Sequence, residues 1–187
     1  MSEAHRKKKQ PEQVRRNLLE CTAKIAAEQG IAKVTIDAVA KAAGITKGGL
    51  LHHFSSKRAL IDAMFADMID QFDQQIDAHI AQDSISQGRF TRAYVAVMFA
   101  DENFDPSAPW QSLCLSTISE PASFEVSANW LNDRLNQYQS TDSDPMLEIV
   151  RLAADGAWFT MTAKKNEEAL EYARNIRERL IAMTKQL

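Results

Sequence analysis

Thr35-Ile-Asp-Ala-Val-Ala-Lys-Ala-Ala-Gly-Ile-Thr-Lys-Gly-Gly-Leu-Leu-His-His-Phe-Ser-Ser-Lys-Arg-Ala-Leu60 is the stretch whose reading decides the fold. Thr35 can cap a short helix that runs to Ala43 with Ile36, Val39 and Ala40 turned inward, because a threonine hydroxyl can accept a hydrogen bond from a first-turn amide that has no intrahelical partner. Gly44 then ends it, since glycine adopts the left-handed conformation of a helix stop without a Cβ penalty. Thr46 caps a second short helix through His53, in which Leu50 and Phe54 are packing residues. Two short helices around a tight glycine turn make a helix-turn-helix, whose second helix has its first residues nearest a DNA groove.

Upstream, Val14, Leu18, Cys21 and Ile25 recur at spacings of four, three and four, a helical stripe that starts at Pro11 and leaves at Gly30. Downstream, Ser55 and Ser56 interrupt the chain before a long helix from Lys57 to about Gln82. Its inward stripe is Leu60, Ile61, Met64, Phe65, Met68, Phe72, Ile76 and Ile80, and its aspartates 62, 67, 70, 73 and 77 are expected on a solvated face. Further helices are predicted over about 89–100, 110–118, 123–139, 146–163 and 167–185, with loops at 101–109 and 141–145. In the second of these loops Asp144 can cap and Pro145 can occupy a first turn. No strand pattern is present. With only 6 Gly and 5 Pro in 187 residues, the chain lacks the turn signals a β-sandwich needs every ~8–12 residues.

Charge divides the chain in two. Residues 1–58 hold 12 Lys/Arg against 5 Asp/Glu, net +7, and the rest holds 10 against 20, net −10. A basic third on an acidic remainder is the distribution of a polyanion-binding module on a carrier that does not itself touch the polyanion. Arg6 to Lys9 alone supply four of the positive charges, so 1–10 reads as a flexible basic arm, 11–57 as the helix-turn-helix domain and 58–187 as a helical regulatory and dimerisation domain.

The segment 35–60 resembles the DNA-binding segment of the TetR family: a Thr-capped helix, an Ala-Gly turn, a Thr-Lys-Gly helix start, a Phe at the helix end and a Ser-Lys follow in order. The resemblance covers roughly residues 11–60, and the run Arg151 to Trp158 adds a weaker likeness in the carrier half. It implies an all-α protein with an N-terminal three-helix DNA-binding domain and a C-terminal helical ligand-binding and dimerisation domain. It also implies a homodimer that binds double-stranded DNA, commonly as a repressor released from a palindromic operator by a small molecule; the absence of a targeting signal or long apolar run in the sequence makes the expected location cytoplasmic.

Matched position by position, the DNA-binding candidates are Thr35, Thr46, Lys47, Gly48, Gly49, His52, His53 and Lys57. Lys47 projects from the first turn of the recognition helix. Gly48 and Gly49 each weaken that helix by roughly 1 kcal/mol relative to alanine, a cost explained if the backbone must approach a surface closely. Lys57 stands at the start of the long helix, where amide donors and an ammonium could share a phosphate. Leu51 and His53 stand at positions that are often tyrosine in the family, and Gly49 where Thr or Ser is common.

In the carrier half the ligand candidates are Met68, Phe72, Met98, Trp110 and Cys114, with Trp158, Phe159 and Thr162 on a later helix and polar Gln111 and Asp155 nearby. Large soft side chains with a few polar groups are the usual lining of a small-molecule site, and also of a plain core. The dimer candidates are small Ala153 and Ala157 with the stripe Ile176, Leu180 and Met183.

Catalytic patterns are absent from the sequence. There is no phosphate-binding glycine loop, paired-cysteine metal pattern, zinc-protease His pair or Gly-x-Ser-x-Gly elbow. The adjacent His52 and His53 diverge on a helix, and Cys21 and Cys114 have no metal spacing. No enzyme, cofactor, metal or membrane span is therefore expected. Two other readings stay open at this point: a helical dimeric interaction protein whose helix-turn-helix has degenerated through Leu51 and Gly49, and a DNA-binding regulator with a filled core and no ligand.

Overall fold

The computed structural model describes residues 3–100, 121–162 and 167–186. All regular structure among them is helical: α1 (Glu3–Gln29), α2 (Ile36–Ala42), α3 (Lys47–His53), α4 (Lys57–Gln82), α5 (Arg89–Met98), α6 (Pro121–Gln137), α7 (Gln139–Asp142), α8 (Pro145–Thr162) and α9 (Glu167–Thr184). A single 3-10 turn, Ile31–Lys33, follows α1. The chain forms two units, described separately below.

In the first unit, α1 to α3 and α4 as far as Met68 enclose one core. Leu18, Val34, Val39, Leu50 and Leu60 are fully buried, with Phe54, Met64 and Phe65 almost so. The unit thus runs past residue 57, where the sequence reading drew its boundary, because the first turns of α4 supply three of those core side chains. Helix α1 reaches back to Glu3 and carries Pro11 inside it. It thus starts ahead of the Pro11 expected from the sequence. Apart from His5, the segment from Glu3 to Gln10 is built of Glu, Ala, Arg, Lys and Gln, strong helix formers, and it holds no breaker. Pro11 therefore removes one backbone donor from the helix interior and does not open it.

The turn between α2 and α3 closes as the glycine predicts. Gly44 has φ 70°, its amide donates to the Lys41 carbonyl at 3.3 Å, and the Ile45 amide donates to the Ala40 carbonyl at 3.0 Å. These paired bonds form a Schellman stop, in which a Cβ at the glycine position would be strained. Asn17 of α1 donates through Nδ2 to the Ala43 carbonyl at 3.3 Å, tying the turn to the first helix.

The second unit contains α4 from Ile69, α5, most of α6, and α7 to α9. Every residue of α5 from Phe90 to Met98 is buried, so it is the axis of this unit. Burial extends to Thr91 and Arg92, and each is satisfied from elsewhere in the chain. Asp142, 2% exposed, accepts from the amides of Phe90 at 3.3 Å and Thr91 at 2.8 Å and from the Thr91 hydroxyl at 2.7 Å. A carboxylate thus caps the first turn of α5, where the helix dipole favours negative charge. Gly88, φ 71°, precedes this turn, and a Cβ there would stand 3.0 Å from Leu147 Cδ2.

Two predicted details change here. The stretch 141–145 is not simply a polar connector, because α7 occupies 139–142 and delivers buried Asp142. Helix α6 is described from Pro121 to Gln137, two residues ahead of the predicted span at each end. Asp144 does cap α8, accepting from the Met146 amide at 2.7 Å.

The aspartates of α4 also divide. Asp62 is exposed and pairs with Arg58, as a solvated face requires. Asp73 and Asp77 instead hold α6: Arg134, 8% exposed, places Nε 3.1 Å from Asp73 Oδ1 as an ion pair without hydrogen-bond geometry and donates through Nη2 to Asp77. Trp130 Nε1 donates to Asp73 at 2.8 Å. No described helix is long and apolar enough to cross a membrane.

Candidate nucleic-acid interface and regulatory unit

The candidate interface is built on two threonine caps. Thr35 Oγ1 accepts from the Ala38 amide at 3.1 Å and Thr46 Oγ1 from the Gly49 amide at 3.0 Å, so each hydroxyl fixes the first turn of its helix. Leu50 and Phe54 anchor the inner side of α3 in the core, and the Arg15 guanidinium lies 4.5 Å from the Phe54 ring centre. The outer side of α3 then presents Lys47, Gly48, Leu51 and His52 to solvent, with His53 half-buried. An added Cβ at Gly48 would meet nothing within 4 Å, whereas one at Gly49 would press on the Thr46 cap at 3.3 Å. The backbone at Gly48 is therefore bare toward solvent, and Gly49 leaves its cap room.

Two contacts escaped the sequence reading. Lys47 Nζ lies 3.0 Å from Asp37 Oδ2 across the turn, both side chains being mostly exposed, so the leading candidate for base contact is held by an acid of α2. Lys57 Nζ donates to the Ala32 carbonyl at 3.4 Å. Beside it Ser56, not singled out from sequence, caps α4 by accepting from the Ala59 amide at 3.0 Å. A serine directly ahead of the apolar stripe was the available signal.

Of the ligand candidates, Trp110, Gln111 and Cys114 lie outside the described residues, as does the side chain of Thr162. Met68 belongs to the first unit and is half-buried. Phe72, Met98 and Trp158 are buried in the second unit. There Phe72 meets Tyr94 edge-on at 5.9 Å and Trp130 at 5.5 Å between ring centres. Trp158 Nε1 is enclosed without an acceptor. Phe159 is a correction. It is 57% exposed on the outward side of α8, since consecutive residues of a helix point about 100° apart and Trp158 takes the inward direction.

Asp155 is half-buried and accepts from the Tyr94 hydroxyl at 2.6 Å. Burial pushes its carboxyl above the usual range, against the Tyr94 bond and the Arg151 charge, which pull it down. Arg151 is itself lowered by burial, opposed by Asp142 and Glu148 foremost; its Nη1 donates to the Thr91 hydroxyl at 2.6 Å. Tyr94 and Arg134 were not singled out from sequence, and Arg151 only as the start of a family-like run, because a polar residue on a buried face leaves no mark in an apolar periodicity.

The proposed dimer stripe is also partly redrawn. Leu180 is 6% exposed and Ala154 fully buried, so both pack within the subunit. Outward on α8 stand Ile149 at 53% and Leu152 at 63% exposure, with Ala153 and Gly156 between them and Phe159; Met183 stands outward on α9. Among the described residues, no group of three His, Cys, Asp or Glu could hold a metal ion.

A short capped helix held outward by a three-helix core, in a chain whose second half is a separate helical unit, defines a helix-turn-helix regulator. Residues 18–64 match the model of the bacterial regulatory proteins of the tetR family, and residues 88–185 match the tetracyclin repressor-like C-terminal domain. The chain belongs to the TetR family, whose members are DNA-binding regulators and not enzymes.

It is similar to the HTH-type transcriptional repressor KstR2 of Rhodococcus jostii (strain RHA1), 39% identical over 56 residues, which are 30% of this chain and 28% of that one. With KstR2 of Mycolicibacterium smegmatis it shares 29% identity over 92 residues, 47% of this chain and 45% of the relative. With the regulator BetI of Yersinia pestis (strain Pestoides F) it shares 26% over 115 residues, 60% and 58%. The matches thus span from about a quarter to under two thirds of these curated relatives. Among solved structures, a transcriptional regulator from Rhodococcus sp. Rha1 superposes with a TM-score of 0.70 at 18% identity, covering 95% of this chain and 96% of that one. The multidrug binding protein EbrR complexed with malachite green gives 0.70 at 19% identity, covering 89% and 96%. These structures share the fold.

Proposed function

We propose that the protein is a homodimeric, cytoplasmic repressor that binds a roughly palindromic operator through α3 and is released from it by a small molecule held in the second unit. The carrying observation is the outward face of α3, where a Thr46-capped first turn presents Lys47 beside the bare backbone of Gly48. That turn would enter the major groove. Thr35, Thr46, His52, His53 and Lys57 would contact phosphates and set the register, while Lys47 reads a base edge. The net +7 of residues 1–58 against −10 for the rest supports one end of the chain as the DNA end.

For the effector, support comes from Phe72, Met98 and Trp158, enclosed in the second unit with Tyr94 and Asp155, and from the name of EbrR, which is a multidrug binding protein. Helix α4 is unbroken from Lys57 to Gln82, so it carries a phosphate-contact candidate at one end and Phe72 farther along. A ligand that prefers one setting of α4 would shift the population of DNA-competent protein by its differential affinity alone. For the dimer, the outward faces of α8 and α9 offer Ile149, Leu152, Ala153 and Met183 to a second copy, packed two-fold.

Selection of duplexes from a random pool, followed by footprinting, tests the reading. A protected, roughly symmetric site bound at least 1000-fold above random DNA is expected, the low end for specific DNA-binding proteins. Equal binding of selected and random duplexes at physiological salt would leave a helical interaction protein as the better description. With the site in hand, apolar and aromatic compounds that stabilise the protein should lower operator affinity about 5- to 150-fold.

A further inference from the structure

Although residues 59–187 are acidic overall, one cleft in the second unit gathers positive charge. It lies where the last turns of α4 meet α5 and α9, and its volume is about 260 Å³. Ala93, Ala96 and Ile181 give it an apolar lining, and His79, Arg177 and Lys185 line it with polar groups. The acid of the cleft, Asp83, is already engaged. It accepts from Arg92 Nε at 2.6 Å, and Arg92 spends its terminal nitrogens on the carbonyls of Gln87 at 2.6 Å and Ile85 at 2.5 Å. Burial raises the Asp83 carboxyl, but the Arg92 and Ile85 hydrogen bonds and the charges of Arg92 and Lys185 bring it below its ordinary value. Asp83 and Arg92 thus form a closed, neutral pair.

Arg177 and Lys185 have no such arrangement. Among the described residues neither side chain has a carboxylate within ion-pair distance, and the Arg177 Nε–H is enclosed without an acceptor. The cleft therefore presents two cationic groups that no described carboxylate offsets, and an anion there would meet them with charge-assisted hydrogen bonds. The apolar lining would be wasted on an inorganic ion. The volume is below the ~300–1,000 Å³ of pockets for drug-sized ligands, so the apolar body must be short.

We infer that this cleft binds a small organic carboxylate, its charged end on Arg177 and Lys185 and its short acyl or aryl body on Ala93, Ala96 and Ile181. The site shares no residue with the set proposed above for the effector. Its binding can be measured without DNA, so the outcome is independent of whether α3 reads an operator.

The test is calorimetric titration of the full chain at fixed ionic strength with benzoate, butyrate, the neutral isostere benzamide and inorganic phosphate. Benzoate or butyrate should bind at least tenfold more tightly than benzamide and than phosphate. Arg177→Gln should raise the dissociation constant of the carboxylate roughly 10- to 150-fold, the loss of a hydrogen bond to a charged group. Lys185→Gln, at an exposed position, should weaken it in the same direction and keeps the test valid if the Arg177 variant does not fold. The inference is overturned if neither carboxylate binds, if benzamide or phosphate binds as tightly, or if folded variants bind the carboxylate within twofold of wild type.

Discussion

Asp37→Asn offers the sharpest probe of the interface, because Asp37 holds Lys47 at 3.0 Å while both side chains stay mostly in water, 72% and 59% exposed. An exposed pair of this kind is worth about 0–1 kcal/mol. If Lys47 must leave Asp37 to reach a base edge, each protomer forfeits up to about 1 kcal/mol on binding, and removing the acid should tighten operator binding up to about fivefold per protomer, or about 25-fold for a dimer. Loss of a negative charge also eases approach to any phosphate backbone, so the assay must separate the two effects. Fluorescence anisotropy titrations on the selected operator and on random duplex, for wild type, Asp37→Asn, Lys47→Ala and the double variant, form a double-mutant cycle. Lys47→Ala alone should cost about 1–3 kcal/mol on the operator and relax sequence preference. In its background Asp37→Asn should retain only the gain seen equally on random DNA. Weaker operator binding by Asp37→Asn would refute the competition and make Asp37 a residue that positions Lys47; zero coupling would make the pair incidental to DNA binding.

Lys57→Ala should weaken all duplexes alike and flatten the slope of log affinity against log salt by about 0.9 per lost phosphate contact, or about 1.8 in a dimer, as read from titrations at several salt concentrations. Leu152→Arg, on the 63% exposed outward face of α8, should give a folded monomer in sedimentation, whereas Leu180→Arg puts an unpaired guanidinium where the wild-type side chain is buried and should lose helical signal in circular dichroism; a folded Leu152→Arg dimer would move the interface elsewhere. Asp155 has a carboxyl raised mainly by burial, so its ionised form disfavours folding above its folded pKa, and this penalty disappears as pH falls toward the unfolded value of ~3.9. Asp155→Asn, which still accepts from the Tyr94 hydroxyl, should therefore raise the urea midpoint at pH 7 and lose that advantage near pH 4; a variant less stable than wild type at pH 7 but not at pH 4 would reverse the sign.

The DNA-binding unit was legible in the chain because its decisive interactions are local. Thr35 caps the amide three residues on, Thr46 does the same, and Gly44 closes a stop within five residues, so each is written in adjacent letters. The apolar stripe of α4 was legible for the same reason: helical periodicity repeats every few residues, and Leu60, Met64, Phe65, Phe72 and Ile76 are buried as read. Tertiary structure alone decided which polar groups found one another. Asp142 caps α5 from 51 residues away, Arg134 reaches Asp73 and Asp77 across more than 50, and Tyr94 meets Asp155 across 61. Such pairs leave no periodic trace, because a buried charge needs a partner in space and the sequence does not say which face another helix will present. The same limit placed Phe159 outward and Leu180 inward, and put Arg177 on a cleft whose acid, Asp83, is taken by Arg92.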